Sequence, residues 1–460
     1  MKQEDIYLQN PWWRSVDKID EDSSIMQFNR SSFKFFPAFL DDVDFNQKGI
    51  FTLRGPRQVG KTTSLKLMIK QLLDYGNNPS DILYLTLDNI NGKEELTETI
   101  KNWLLLRRKA SSKKQFLFLD EISFIKDWQY SIKYLYDINL LNEAFVFLSG
   151  SSAYDIKRSS ERLPGRRGAG IDLIQLPVSF REFIQTNYNT SLKPYSLSEI
   201  LHLSDSDIKL LNYEYARYIP DFNIYRNAGG FPRVINAYLK ENMINDSVLK
   251  VYEDFILGDI ERFSKSRFTL TELIKKTPGI IGQRFSWHSI NNHINAVSSS
   301  NTVESYFQIL GMNFIAATLF FFDPSKREIN PKKQKKIYPL DPIISRVIEN
   351  LSGNQIKEGN DIESLVLENI LRITRKTTEG LNLYYGPYYW YSAKGKEVDF
   401  LIEQDAGLFP LEVKYQNQIN RSDYTTIKRN FKEGFLLSKD TAFRDENVLI
   451  LPVYLFLLLL

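Results

Sequence analysis

Between Ile50 and about Gln175, short apolar runs alternate with longer stretches of helical periodicity. The runs IFTLR, ILYLTLD, FLFLD and AFVFLS carry apolar residues at successive positions, as strands buried on both faces do. The stretches KTTSLKLMIKQLLDY, EELTETIKNWLLLRR and WQYSIKYLYD between them predict helices. Strand and helix in alternation predict a doubly wound α/β domain with a parallel sheet, and IDLIQLP predicts one further strand. From about Phe180 to Phe263 the pattern turns helical, with SFREFIQT and FPRVINAYLKENMI; such a segment after a sheet suits a helical lid. From about 268 to 345, helices give way to strands. TVESYFQILGMNFI carries a helical stripe, ATLFFFDP and IYPLD read as strands, and NPKKQKK between them reads as a polar, basic loop. Helices followed by a β-hairpin are the outline of a winged helix. From Glu363 the helix ESLVLENILR precedes several strands. The predicted boundaries are 1–180, 181–265, 266–350 and 351–460.

Composition narrows the classes. A chain of 460 residues exceeds one ordinary core. Its 43% hydrophobic and 25% charged residues exclude a disordered composition. A formal net charge of +3 neither demands nor excludes nucleic acid, so local clustering decides. The absence of Cys excludes disulfides, thiolate catalysis and Cys-based zinc sites. Only His202, His288 and His293 are present, which excludes a His-rich metal site. The N-terminus has no apolar leader. The last stretch, VLILPVYLFLLLL, is interrupted by Pro452 and falls short of the about 20 residues of a spanning helix, so it predicts a buried strand. These features together predict a cytoplasmic protein without membrane association.

GPRQVGKTT carries the strongest chemical signal. Gly55, Pro56, Arg57, Gln58, Val59, Gly60, Lys61, Thr62 and Thr63 fit the Walker A pattern, after a strand and opening a helix. Such a loop curls its backbone N–H groups around phosphate oxygens, and the helix N-terminus adds a positive field. Lys61 then bridges the β- and γ-phosphates of ATP, and the Thr62 hydroxyl coordinates Mg²⁺. FLFLDE supplies the complementary half: Asp120 at the strand end reaches Mg²⁺ through water, and Glu121 polarises the attacking water. The next strand ends LSGSS, where Ser151 is placed to sense the γ-phosphate, or belongs to an ordinary Ser-rich turn. KRSSERLPGRR carries Arg158, Arg162, Arg166 and Arg167. It is either a solvated loop or the source of a finger, Arg166, acting in cis or from a neighbouring subunit. GGFPRV sets Arg233 at a helix start as a second candidate for phosphate sensing.

FSWHSINNHINAVSSSNTVESYFQIL reads helix, turn, helix, with Ser300 or Asn301 as N-cap. The second helix offers no Arg or Lys. The nearest positive charges are Lys332, Lys333, Lys335 and Lys336 on the possible wing. A wing can contact DNA phosphates without reading bases, and a module that docks a protein partner remains the competing reading.

Near the C-terminus, EVDFLIEQDAGLFPLEVK predicts a hairpin with QDAG as its turn. Asp399 then lies opposite Glu412, and Glu397 opposite Lys414. Val398, Phe400, Ile402, Phe409, Leu411 and Val413 share the apolar face. Two facing carboxylates repel by up to about 1 kcal/mol, and a Mg²⁺ or Mn²⁺ ion would reverse that sign. The competing reading is a hairpin in which Glu397 and Lys414 form a surface salt bridge.

The chain resembles a family of archaeal and bacterial AAA+-type ATPases that join a P-loop domain to a C-terminal domain of unknown function. The resemblance rests on NPWW, LRGPRQVGKTT, FLFLDEI, LSGSSA, RLPGRR, LPVSFREF, NAGGFPRV, TVESYFQIL, IYPLDP, EVDFLI and LEVK, in that order along nearly the whole chain. LPGR stands where the family has LAGR, so Pro164 stiffens that loop. The C-terminal segment also resembles the PD-(D/E)xK nucleases. That resemblance implies Asp399 and Glu412 as metal ligands, Lys414 positioning water or phosphate, and Glu363 as an extra acidic residue. The expected architecture is therefore α/β: a P-loop parallel-sheet ATPase domain, a helical lid, a winged helix and a restriction-endonuclease-like domain. Two functions fit: an ATPase that drives or gates a nucleic-acid-associated nuclease-like module, or an ATP-dependent protein-docking switch with an inactive C-terminal scaffold.

Overall fold

The computed structural model describes residues 2–109, 114–150, 163, 165–263, 265–292, 299–373, 387–405 and 407–460. The chain divides into two compact units: Met1–Leu176, and Pro177–Lys376 with Asn382–Leu460.

The first unit is built on five parallel strands: β1 (Gly49–Arg54), β2 (Ile82–Thr86), β3 (Phe116–Asp120), β4 (Phe145–Gly150) and β5 (Asp172–Ile174). Their order is β2-β3-β4-β1-β5. Helices Lys61–Asp74, Lys93–Lys109 and Trp128–Asp137 lie where the periodicity predicted them. Successive strand side chains enter opposite cores, as the pleat dictates. Leu117, Leu119, Val146 and Leu148 pack with Ile100 and Ile132 on one face. Phe116, Phe118, Phe147 and Phe51 pack with Leu65 and Ile69 on the other.

β2 is an edge strand, and the N-terminal arm covers its free backbone groups. The Asn10 amide donates to the Tyr84 carbonyl at 2.9 Å and accepts from the Tyr84 N–H at 2.7 Å. The Trp12 and Trp13 indoles both donate to the Ile82 carbonyl. An edge so covered cannot pair with another chain.

The second unit holds an eight-stranded mixed sheet of β6 (Ala316–Asp323), β7 (Glu328–Pro339), β8 (Tyr388–Tyr391), β9 (Glu397–Gln404), β10 (Gly407–Val413), β11 (Gly434–Ser438), β12 (Phe443–Asp445) and β13 (Val448–Pro452). The order is β12-β13-β11-β10-β9-β8-β6-β7. Helices 180–188, 219–228 and 232–241, expected as a lid, belong to this unit; the Phe180 N–H is bonded to the Asn369 side chain at 3.0 Å.

Three expectations are corrected. NPKKQKK is not a loop but lies within β7. The pairing jumps from Phe320↔Lys335 to Phe321↔Asn330, so Pro331–Gln334 bulge out while Lys335 and Lys336 rejoin the ladder and are buried. A bulge keeps a strand paired on both sides of extra polar residues, which a turn-based reading cannot anticipate. The tail is a strand only as far as Pro452; Val453–Leu459 is a buried helix. Proline ends the ladder, and the apolar residues beyond it are covered on every side, so they show no periodicity. The helix Ser300–Met312 is capped by Ser299, whose side chain accepts from the Thr302 N–H. No helix among the described residues is long and apolar enough to cross a membrane.

Candidate active site and a second acidic cluster

The loop Gly55–Gly60 joins β1 to the helix Lys61–Asp74. Gly60 has φ +101° and Gln58 φ +64°, so the chain turns sharply and its amides face inward. A Cβ on Gly55 would fall 2.2 Å from the Gln175 carbonyl oxygen, so only glycine fits there. Gln175 braces the loop from beyond β5. Its side-chain amide donates to the Val59 carbonyl at 2.9 Å, and its side-chain oxygen accepts from Ser64 at 3.0 Å. Lys61 is buried, its ammonium donating to the Pro56 and Gly55 carbonyls at 2.8 and 3.0 Å. Arg57 lies 6.0 Å over the Phe124 ring, and Thr63 is half-buried in the first helical turn.

Asp120 ends β3, separated from the loop strand by β4. Its carboxylate is 3% exposed and accepts hydrogen bonds from three hydroxyls. These are Thr62 at 2.6 Å, Tyr84 at 2.9 Å and Ser149. The predicted pair of Thr62 and Asp120 is thus in direct contact, and neutral donors leave its negative charge uncompensated by those bonds. Glu121 follows in a left-handed conformation, φ +56°, which turns it out of the strand; its N–H lies 3.3 Å from Ser149 Oγ. The Thr62 hydroxyl and the Asp120 carboxylate are oxygen donors of the kind that suit Mg²⁺. Burial, then Asp120, pushes the Tyr84 phenol well above its usual range, so it stays a proton donor to that carboxylate.

Arg166 forms a two-bond pair with Asp137, at 2.7 and 3.3 Å. Arg167 pairs in the same way with Asp172. Ser151, Arg158 and Arg162 lie outside the described residues. Arg233 is exposed in the first turn of the helix Pro232–Glu241, in the second unit. Tyr84, Ser149 and Gln175 were not read from the sequence. Ser149 had a signal, a polar residue closing an apolar strand beside the acidic one. Gln175 had almost none.

The second cluster lies on the predicted hairpin. β9 and β10 pair from Gly407↔Gln404 to Leu411↔Phe400, the expected register. Continued to the next positions, it brings Asp399 opposite Glu412. Asp399 and Glu412 are buried, at 5% and 7% exposed. Lys414 contacts Glu412 at 2.6 Å. Tyr338 donates to Glu363 at 2.8 Å, and the Val413 N–H donates to Asp399 at 3.0 Å.

The pairing of Glu397 with Lys414 is not what forms. Lys336, on β7, reaches into the cluster. Its ammonium is 3.0 Å from Asp399 and 2.5 Å from Glu397, and Glu397 also meets Arg284 at 3.0 Å. Burial, and then the Asp399 charge, pushes the Glu363 and Glu412 carboxyls up to about 8. Burial would raise Asp399 as well, but Lys336 and then Lys414 hold it below its ordinary value. Among the described residues, no three acidic or His side chains are grouped so as to hold a metal ion.

Residues 47–184 match the family model of the AAA domain. Residues 219–355 and 358–456 match models of two domains of unknown function, DUF8612 and DUF4143. The chain is 23% identical over 416 residues to an uncharacterized protein of Haemophilus influenzae, covering 86% of this chain and 90% of that one. It is 22% identical over 433 residues to an uncharacterized protein of Methanocaldococcus jannaschii, covering 91% and 86%. Among solved structures it is similar to a Walker-type ATPase of Pyrococcus abyssi, at TM-score 0.38 and 12% identity over 76% of this chain and 97% of that one. It is also similar to the Orc1 protein of Aeropyrum pernix in complex with DNA, at TM-score 0.33 and 13% identity over 74% and 96%. The AAA match and the loop geometry together make the first unit an AAA-type P-loop ATPase domain.

Proposed function

We propose that this protein is an ATP-driven switch. Hydrolysis in the first unit controls the docking of a protein partner, and the nuclease-like second unit is a scaffold that does not cut DNA. In the first unit the backbone N–H groups of residues 57–63 receive the phosphates, and Lys61 exchanges the Gly55 and Pro56 carbonyls for phosphate oxygens. Mg²⁺, when bound with ATP, neutralises charge on the β- and γ-oxygens. Thr62 and Asp120 are the residues that would hold it. Glu121 orients the attacking water.

The observation that carries the non-cutting reading is Lys336. It sits on Asp399 and Glu397, among the carboxylates a nuclease would turn toward a metal. Its burial with Lys335 also reduces the basic cluster offered to DNA to the exposed Lys332 and Lys333. A second reading, a metal-dependent nuclease gated by ATP, is favoured by the hairpin register and by the Lys414–Glu412 contact.

ATP turnover of the full chain, with and without duplex and single-stranded DNA, separates the two. The switch predicts turnover that DNA leaves unchanged and no plasmid nicking with Mg²⁺ or Mn²⁺. DNA-stimulated turnover, abolished when Lys332 and Lys333 are replaced by Gln, would favour the nucleic-acid reading instead.

A further inference from the structure

The carboxylates of the second cluster have their own cations. A lysine ammonium is a compact charge with three donors. Lys336 is 1% exposed, and its ammonium lies 3.0 Å from Asp399 Oδ1 and 2.5 Å from Glu397 Oε1. The Tyr338 and Tyr389 rings flank it at 5.8 and 5.9 Å. Lys414 takes Glu412 Oε1 at 2.6 Å, Tyr338 takes Glu363 Oε2 at 2.8 Å, and the Val413 amide takes Asp399 Oδ2 at 3.0 Å. Of the three carboxylates that the nuclease resemblance assigns to a metal, Asp399 and Glu412 each already have an oxygen on a lysine ammonium of this chain, and Glu363 has one on the Tyr338 hydroxyl. The donor set therefore does not fit a divalent ion as folded.

The position of Lys336 is fixed by backbone pairing. Lys336 lies opposite Leu319 on β6. On its other edge β7 is tied by exchanged hydrogen bonds between Lys335 and Phe285, at 2.9 and 2.8 Å, and by the Gly282 N–H to the Ile337 carbonyl at 3.2 Å. The pleat then turns Lys336 and Tyr338 together toward the cluster, and Lys335 the other way, over the Trp287 ring at 5.4 Å. A strand held on both edges keeps that ammonium in place.

We infer that Lys336 is a built-in cation that, with Lys414, supplies the positive charge a divalent ion would bring to Asp399, Glu412 and Glu363. The inference rests on the non-cutting reading above and gives it a single-residue cause. An unpaired buried carboxylate set attracts a hard cation; a set paired with ammonium groups does not.

The test is Mn²⁺ titration of the nucleotide-free full chain, followed by electron paramagnetic resonance. Sites at the phosphate loop are separated by their insensitivity to Asp399→Asn. Wild type is expected to show no Mn²⁺ that Asp399→Asn removes. Lys336→Met should gain one such site, lost again in Lys336→Met/Asp399→Asn, and Lys336→Arg should gain none. A wild-type Mn²⁺ site removed by Asp399→Asn overturns the inference. So does a cooperatively melting Lys336→Met that binds no Mn²⁺. If Lys336→Met does not fold, the wild-type titration decides. Plasmid nicking in the same samples keeps the two ideas apart. Wild type that binds Mn²⁺ without nicking defeats the role of Lys336 alone, whereas nicking defeats the non-cutting reading as well.

Discussion

Asp120 and Asp399 are both buried carboxylates near the end of an apolar strand, yet they are dressed differently. The Asp120 side chain is held by the hydroxyls of Thr62, Tyr84 and Ser149. Hydroxyls orient a carboxylate and leave its charge in place. Lys66 comes near, but pairs with Asp22 at 3.0 Å. Asp399 is held by the Lys336 ammonium and the Val413 amide, beside Lys414. Its charge is balanced within the chain. The difference teaches that the partners of an acidic residue, and not its strand-end position, decide whether it awaits a cation from outside.

The largest effect should separate the two sites by stability. Asp399→Ala leaves the Lys336 ammonium buried and short of a partner, which should cost about 3–5 kcal/mol. Ser149→Ala removes one hydrogen bond to a carboxylate and should cost about 1.5–3 kcal/mol. Denaturant unfolding measures both, and equal losses would erase the distinction between ammonium-held and hydroxyl-held sites.

Chemistry should separate them next. Lys61→Ala and Asp120→Asn should each slow ATP turnover by about 10²–10³-fold. Glu121→Gln should slow turnover as much while still binding a fluorescent ATP analogue, because it acts on water. Equal loss of affinity in Glu121→Gln and Lys61→Ala would remove the assigned division of roles.

The smallest effect is a pH dependence of the second cluster. Glu363 and Glu412 are raised to about 8, so between their ordinary value near 4.5 and that point the folded chain binds more protons than the unfolded one. Stability therefore falls as pH rises through this window. Asp399 is lowered and acts oppositely: its contribution is present above its ordinary 3.8 and is lost as pH falls through its folded value. Between pH 5 and 8 the melting temperature should fall, and Glu412→Gln should flatten that fall. A slope identical to wild type would show that Glu412 is not held as described.

Much of the first unit was legible because its determinants are local. A loop of fixed spacing between strand and helix specifies the phosphate site, and uninterrupted apolar runs specify a buried parallel sheet. The β9–β10 register was legible as well, since period-2 alternation and a turn with Asp405 at φ +49° leave one pairing. Gln175 was not legible: it reaches Ser64 across 111 positions, and no spacing rule links the end of β5 to the loop it braces. Nor was the helix Val453–Leu459, whose unbroken apolar run fits strand and buried helix alike.

Sequence alone determined which groups exist and, for the phosphate loop and the hairpin, the backbone frame that carries them, because that frame follows from spacing and periodicity over a few residues. The partner of Asp399 was decided by tertiary structure. Lys336 is 63 positions away, on a strand that the order β9-β8-β6-β7 sets three steps along the sheet, about 14 Å in a flat arrangement. The Nζ reaches 3.0 Å, and the Tyr338 ring lies 5.5 Å from that of Phe400, so β7 approaches β9 more closely than a flat sheet would allow; among the described residues β6 and β8 share the pair Phe321↔Tyr389. Curvature of that kind depends on a bulge and on core packing summed over the whole unit, so no local pattern of charges could announce that a lysine read as exposed would become the buried counter-ion of an aspartate read as a metal ligand.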